Sequence, residues 1–386
     1  MFIKKYSVIS LLIMQLNIVS FDIPYPPDYG GAIDIFYRIR ELHEQGVKII
    51  FHTFEYGRKQ AEELKKYCEE IHYYKRKTGI CSQFSTKPYI VYSRKNKSLL
   101  ENLKKNDFPI LFEGIHTCYY LSNPQLKNRK KIIRTHNVEH HYYYQLAKAT
   151  NNLPNKIYFL LEALRLKFFE KKINNADFIL PISHEDTAYF EKKYSTKKIT
   201  YISGFHPYDK VISHIGKSDY ILYHANLSVS ENEKAAIYLT QNIFSKLPYK
   251  CVIAGRNPSK LLKKSIEKYN NISLVRDPAN EKMQELLHNA HINLLITFQE
   301  TGLKLKLLST LFSGRHVLVN PQMLVGMDKL KELCHIANND ENIISTCRKL
   351  MDRPFTENDI SLRKQILFPL FDNSANAERI IQLLND

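Results

Sequence analysis

The chain has 386 residues, 44% of them hydrophobic, so it is neither largely disordered nor confined to one ordinary core, and two domains are expected. Its formal net charge of +17 favours anionic partners, whether phosphorylated small molecules, nucleic acid or an acidic membrane surface. Six cysteines, at 68, 81, 118, 251, 334 and 347, include no C-x-x-C; this excludes the usual zinc spacings and fits a reducing cytoplasm.

At the N-terminus, Lys4 and Lys5 precede SVISLLIMQLNIVSF, similar to the basic and apolar regions of a signal peptide. Gln15 and Asn17 interrupt that run, no small-x-small cleavage site follows, and the stretch merges into a predicted first strand at 16–21. Export is therefore not expected. Residues 1–14 read as an extension upstream of the fold or as a weak membrane contact. No other segment approaches the roughly 18 apolar residues that a spanning helix requires.

Apolar runs at 16–21, 47–54, 108–112, 131–135 and 178–182 predict strands, and the stretches 32–45 and 158–174 between them predict amphipathic helices. The pattern restarts after about residue 205, with runs at 220–224, 250–255, 272–275, 292–297 and 317–319. Short apolar runs alternating with helices predict parallel sheets covered on both faces. Two such series predict an α/β chain of two doubly wound, Rossmann-like domains facing a cleft, joined near 203–207. Ligands of such sheets bind beyond the strands' carboxyl ends.

Residues 293–320, NLLITFQETGLKLKLLSTLFSGRHVLVN, are the most informative segment. A strand runs through a loop ending at Gly302 into a predicted helix, which stops at Gly314 before another strand. Lys304 and Lys306 fall in the helix's first turn, where the macrodipole disfavours cations unless an anion faces them. Glycine before a helix start, with two ammonium groups, describes a phosphate-sized pocket. Solvated lysines on an outer face are the alternative, and charge placement alone does not choose. Elsewhere in this half, Gly255–Arg256 ends one strand, where a guanidinium could meet a phosphate, and Asn226 and Lys234 follow another.

In the first half, the strand at 16–21 leads through Pro24, Pro26 and Pro27 to Gly30 and Gly31, a pair that either admits a ligand's close approach or shapes a tight turn. Glu113 and His116 follow the next strand; Arg134, His136 and Asn137 end another, with Glu139, His140 and His141 beyond. This histidine spacing fits no standard zinc motif, so no metal is expected. His136, at a strand's carboxyl end, is placed for substrate or for hydrogen bonding within its loop.

Three segments resemble the GT-B glycosyltransferases, specifically the group 1 or family-4-like enzymes that use nucleotide sugars: FDIPYPPDYGGAIDIFYRIRELHEQG, NNADFILPISHEDTAYFEKKY and AHINLLITFQETGLKLKLLSTLFSGRHVLVN. With the tail FDNSANAERIIQLL, the likeness covers roughly residues 16–386. It implies an acceptor domain at 1–205, a nucleotide-sugar domain at 206–372, and a C-terminal helix at 373–386 returning to the first. It further implies that Gly302, Leu303, Lys304 and Lys306 engage the diphosphate, with Lys234, Asn226, Gly255 and Arg256 assisting. Gly30 and Gly31 would close on the donor, and His136 would lie near the transferred sugar. Glu113, His116, Arg134 and Asn137 would then meet the acceptor. The implied chemistry is retaining, metal-independent hexosyl transfer to a saccharide or lipid-linked acceptor in cell-surface polysaccharide or lipopolysaccharide synthesis, with no cofactor beyond the donor.

The chain departs from the family pattern at Ser309, where a glutamate usually holds ribose hydroxyls, and at Ala225 and His316, where glycine and proline are usual. These departures keep a catalytically silent binding module as the alternative. Basic clusters at 75–77, 94–97, 104–105, 127–131 and 167–172, interleaved with Tyr and Phe, fit a peripheral contact with an anionic membrane at the inner face of the plasma membrane, or a lysine-rich proteome. Nucleic-acid binding is not expected, because no recognisable module accompanies the charge.

Overall fold

The computed structural model describes residues 14–79, 82, 85–150, 152–194, 198–298 and 305–385. The expectations placed on residues 1–13 and on Gly302, Leu303 and Lys304 lie outside the described residues. Two compact units emerge: Met1–Pro207 with Asn373–Asp386, and Tyr208–Asp372.

The first unit begins with β1 (Gln15–Ser20), α1 (Gly30–Glu44), β2 (Lys48–Glu55), β3 (Glu70–Lys75), α2 (Tyr89–Tyr92) and α3 (Lys97–Leu103). It continues with β4 (Ile110–Glu113), β5 (Lys131–Thr135), α4 (Glu139–Ala149), α5 (Leu153–Phe169), β6 (Phe178–Pro181), α6 (His184–Lys193) and β7 (Lys198–Ile199). All seven strands are parallel, in the order β3-β2-β1-β4-β5-β6-β7, so winding reverses between β1 and β4. That reversal opens a crevice at the strands' carboxyl ends.

Alternate residues of each strand feed opposite faces. Leu16, Ile18, Leu111 and Ile132 join one core with Ile35 and Ile39 of α1; Val19, Phe112, Ile133 and Ile179 join another with Leu166 and Phe169 of α5. Helix α1 buries Ala32, Ile35, Phe36, Ile39 and Leu42 at helical spacing, and each large apolar side chain contributes about 1.5–3 kcal/mol.

The second unit contains β8 (Tyr220–Asn226), α7 (Ser230–Tyr238), β9 (Lys250–Arg256), α8 (Lys260–Ile266), β10 (Ile272–Arg276) and α9 (Asn280–Asn289). Then follow β11 (Ile292–Leu295), α10 (Leu305–Ser313), β12 (His316–Val319), β13 (His335–Ile336), α11 (Asp340–Asp352) and α12 (Glu357–Leu370). Its parallel order, β10-β9-β8-β11-β12-β13, places the reversal between β8 and β11. Gly255 is required here by the protein itself, since a Cβ would fall 2.0 Å from the Ala225 carbonyl oxygen. The last helix, α13 (Asn373–Asn385), packs against α1 and buries Ala377, Ile380 and Leu384 in the first unit's core.

Both doubly wound sheets match the sequence expectation. Three edge strands, β3, β7 and β13, were not anticipated. Nor was α4, whose segment carried no predicted element; it packs against α5 rather than standing on an apolar stripe of its own.

Candidate functional site

The first unit's crevice is built around a buried charge network. Asp34 and Arg38 are one turn apart on α1, Glu113 ends β4, Arg134 lies on β5, and His136 follows it. The four charged side chains are wholly buried. Asp34 accepts from Arg38 Nη1 at 2.6 Å, from Arg134 Nη2 at 3.0 Å and Nε at 3.3 Å, and from the Phe205 amide at 2.8 Å. Glu113 pairs with Arg38 and, at 3.3 Å, with His136 Nε2. Two carboxylates thus face two guanidinium groups, the only economical way to bury four charges. Burial alone would raise the Asp34 carboxyl, but Arg134 and Arg38 overcome it and hold Asp34 well below the usual carboxylate range.

Above this network lies an aromatic layer. Phe21, just past β1, packs its ring on His116 (5.1 Å between centroids) and edge-on to His136 (5.5 Å). The same ring explains Gly31, because a Cβ there would approach Phe21 Cζ to 2.8 Å. Gly30 and Gly31 open α1, and Tyr29 before them provides no side-chain cap. Burial, with Arg94 and His136 adding, drives the His116 imidazole well below its ordinary value, and its Nδ1 lacks a partner among the described residues. Asn137 bonds to Glu139, whose carboxyl burial pushes up to about 8. His136 keeps 11% of its side chain exposed, whereas Glu113 keeps none.

Arg134 was expected to touch an acceptor. Its guanidinium is instead committed to Asp34 and to the carbonyls of Ile202 and Ser203, so it positions Asp34 and the 202–205 segment. The Asp34, Glu113 and His136 donor atoms lie within 4.8 Å of one another, a spacing that a cation could bridge. Arg38 and Arg134 already hold both Asp34 oxygens, and Arg38 holds one oxygen of Glu113, so a dication would sit against two guanidinium groups. The donor set does not fit a metal.

In the second unit, Lys306 lies on α10, which follows β11 at the β8/β11 reversal. Its Nζ lies 3.3 Å from Asn232 Oδ1 and 3.5 Å from the Ile296 carbonyl, and 5.8 Å from the centre of the Tyr223 ring. Asn232 in turn donates to the Asn226 carbonyl at 2.9 Å, tying the end of β8 to the first turn of α7. Glu231, also in that turn, accepts from Thr297 Oγ1 and from the Phe298 amide beyond β11. Burial and then Lys306 lower His224 to about 3, so it stays neutral while bonding Thr310 at 3.0 Å.

Asn226 and Lys306 are therefore brought together through Asn232. Arg256 is exposed at the end of β9, with Nη2 3.4 Å from Asn280, and Lys234 is exposed on α7. Ser309 faces Tyr208, whose hydroxyl donates to it at 2.6 Å. Sequence reasoning missed Asp34, Arg38, Phe21 and Glu231. The first two form an i,i+4 acid–base pair on the buried face of α1, a helix that carries other charges as well, so nothing in the sequence marks this pair out.

No protein-family model matches the chain. An uncharacterised 44.6 kDa protein in the cps region of Klebsiella pneumoniae is 28% identical over 361 residues, covering 85% of this chain and 92% of that protein. Among solved structures, TarM superposes with a TM-score of 0.66 at 11% identity, covering 97% of this chain and 99% of TarM. HepE of Anabaena in complex with UDP gives 0.66 at 11% identity, covering 96% and 100%. A UDP-forming alpha,alpha-trehalose-phosphate synthase of Burkholderia xenovorans, in complex with glucose-6-phosphate, gives 0.63 at 9% identity, covering 97% and 100%. These likenesses, spanning both parallel sheets, show that the chain has the two-domain GT-B fold.

Proposed function

We propose that the protein is a glycosyltransferase that moves a sugar from a nucleotide-diphosphate donor to a saccharide or lipid-linked acceptor, in cell-surface polysaccharide synthesis. The observation that carries this is Lys306, held at the start of α10 where the winding of a GT-B sheet reverses. An ammonium group beside helix N–H donors suits a pyrophosphate. Support also comes from HepE, whose structure was solved with UDP and glucose, and from the cps-region relative.

In this reading the acceptor hydroxyl oxygen bonds to the sugar's anomeric carbon as the bond from that carbon to the diphosphate breaks, and the hydroxyl proton passes to the departing diphosphate oxygen. Lys306 and the helix amides stabilise the charge that develops on the departing diphosphate. The acceptor attacks on the face the diphosphate leaves, so configuration is retained, and no metal takes part. In this reading His136, oriented by Glu113, serves the sugar transfer, and His116 and Asn137 serve the acceptor. The enzyme works at the cytoplasmic face of a membrane when its acceptor is lipid-linked; among the described residues, no helix is long and apolar enough to cross one.

One observation favours a second reading. Ser309, at the position where family-4-like enzymes hold ribose hydroxyls with glutamate, already accepts the Tyr208 hydroxyl. A binding module without turnover would have this arrangement. Calorimetry with UDP, GDP and their sugars, followed by turnover assays on wild type and Lys306→Ala, separates the two. Lys306→Ala should weaken nucleotide binding about 5- to 150-fold, the loss expected of a charged hydrogen-bond partner worth roughly 1–3 kcal/mol. Unchanged affinity would remove the donor site from this end of the sheet, and binding without turnover on any acceptor would favour the module.

A further inference from the structure

Helix α5 carries an apolar face that is largely uncovered among the described residues. Leu153, Ile157, Leu160, Leu161, Leu164 and Phe168 recur at helical spacing and are 41–65% exposed. The opposite face is committed to the core through Ala163, Leu166 and Phe169. The stripe runs the length of a 17-residue helix, about 25 Å at the usual rise per residue. Scattered exposed leucines need no explanation, but a continuous stripe of this kind marks an interaction surface.

The charges around it identify the occupant. Lys156 and Lys167 border the stripe, Lys171 lies beyond its end, and Lys148 stands on the neighbouring α4; all four are exposed. Every acidic side chain of α4, α5 and the following turn is instead buried: Glu139, Glu162 and Glu170. Glu162 is held by Arg165 and the Tyr89 amide, and Glu170 by His140, Tyr189 and Lys193. The exposed charges on these helices are therefore all positive, beside the hydrocarbon of the stripe. A second copy docking the same face about a two-fold axis would set lysines against lysines with no exposed carboxylate between them. Anionic lipid satisfies both parts at once, because acyl chains accept the leucines while the lysine stems reach along the surface to headgroup phosphates.

We infer that α5 is a membrane-docking helix that lies in the plane of an anionic bilayer, its apolar stripe seated at the headgroup–acyl boundary. This surface is distinct from both crevices and does not depend on the donor site. The full chain should co-sediment with vesicles of phosphatidylcholine mixed with phosphatidylglycerol, and much less with phosphatidylcholine alone. Leu160→Glu/Leu164→Glu and, separately, Lys156→Glu/Lys167→Glu should each reduce that binding about tenfold or more. Lys264→Glu/Lys268→Glu, the same charge change on the second unit, should leave most of it. Thermal unfolding of each variant checks that the fold persists; both target pairs are exposed, so it should. Equal binding to neutral and anionic vesicles, or undiminished binding by both α5 variants, would overturn the inference. So would sedimentation velocity showing a wild-type dimer that Leu160→Glu/Leu164→Glu turns into a monomer, since a second copy would then cover the stripe.

Discussion

Asp34→Asn tests whether the buried network holds the first unit together. The substitution keeps the side chain's shape but removes one negative charge, leaving Arg134 without a counter-ion while Arg38 retains Glu113. One oxygen pair must also give way to an amide that cannot accept from Arg38, Arg134 and the Phe205 amide together. Removing one partner of a buried ion pair costs about 3–5 kcal/mol, and a unit of this size loses roughly 2–4 °C of Tm for each kcal/mol. The variant should therefore melt about 6–20 °C lower near neutral pH, measured by scanning calorimetry. The pH dependence has a definite sign. The Asp34 carboxyl lies below its ordinary 3.8 in the folded state, so its contribution is fully present above that value and declines as pH falls further. The gap between wild type and variant should narrow progressively as pH falls below about 4. A loss under about 1 kcal/mol, typical of an exposed pair, would refute the reasoning.

Gly255→Ala drives a methyl group into the Ala225 carbonyl and should destabilise the second unit by about 2 kcal/mol or more, visible as a lowered denaturation midpoint. His136→Ala should lower turnover about 100-fold or more while nucleotide affinity, followed by calorimetry, changes little, because His136 belongs to the first unit's crevice. Glu139 is raised to about 8 chiefly by burial, so the folded state holds a proton between about 4.5 and 8 that the unfolded chain has released, and stability falls as pH rises through that window. Glu139→Gln lacks this decline; its Tm relative to wild type should climb by several degrees from about pH 5 to about pH 9, and a flat difference would contradict the assignment.

The central strands were legible because a parallel strand covered on both faces reads as an unbroken apolar run; Ile110–Glu113 and Ile292–Leu295 are buried at every position. The edge strands β3, β7 and β13 were not, although edge strand β10 was: β3 is half solvated and its sequence, EIHYYK, is mixed, while β7 and β13 are two residues each. Helix α4 was obscured for a related reason. Its segment, EHHYYYQLAKA, offers almost no aliphatic periodicity, and it is held by packing against α5. In the crevices, residues at strand ends could be found from glycine and histidine placement. Asp34 and Arg38 could not, since each looks like an ordinary helix charge until the fold turns it inward against Glu113 and Arg134.

The closing helix sets an order of events during synthesis. Asn373 holds both the amide and the carbonyl of His206, and Asn376 bonds Ser203, partners 167 and 173 positions earlier in the chain. Ser203 and its neighbour Ile202 are where Arg134 anchors. The nascent first unit therefore lacks these bonds, its charged crevice unlatched, until all of Tyr208–Asp372 has been translated. A ribosome stalled before α13, or a protease clipping it, would leave a lobe whose sheet is complete but whose ion cluster has lost its brace.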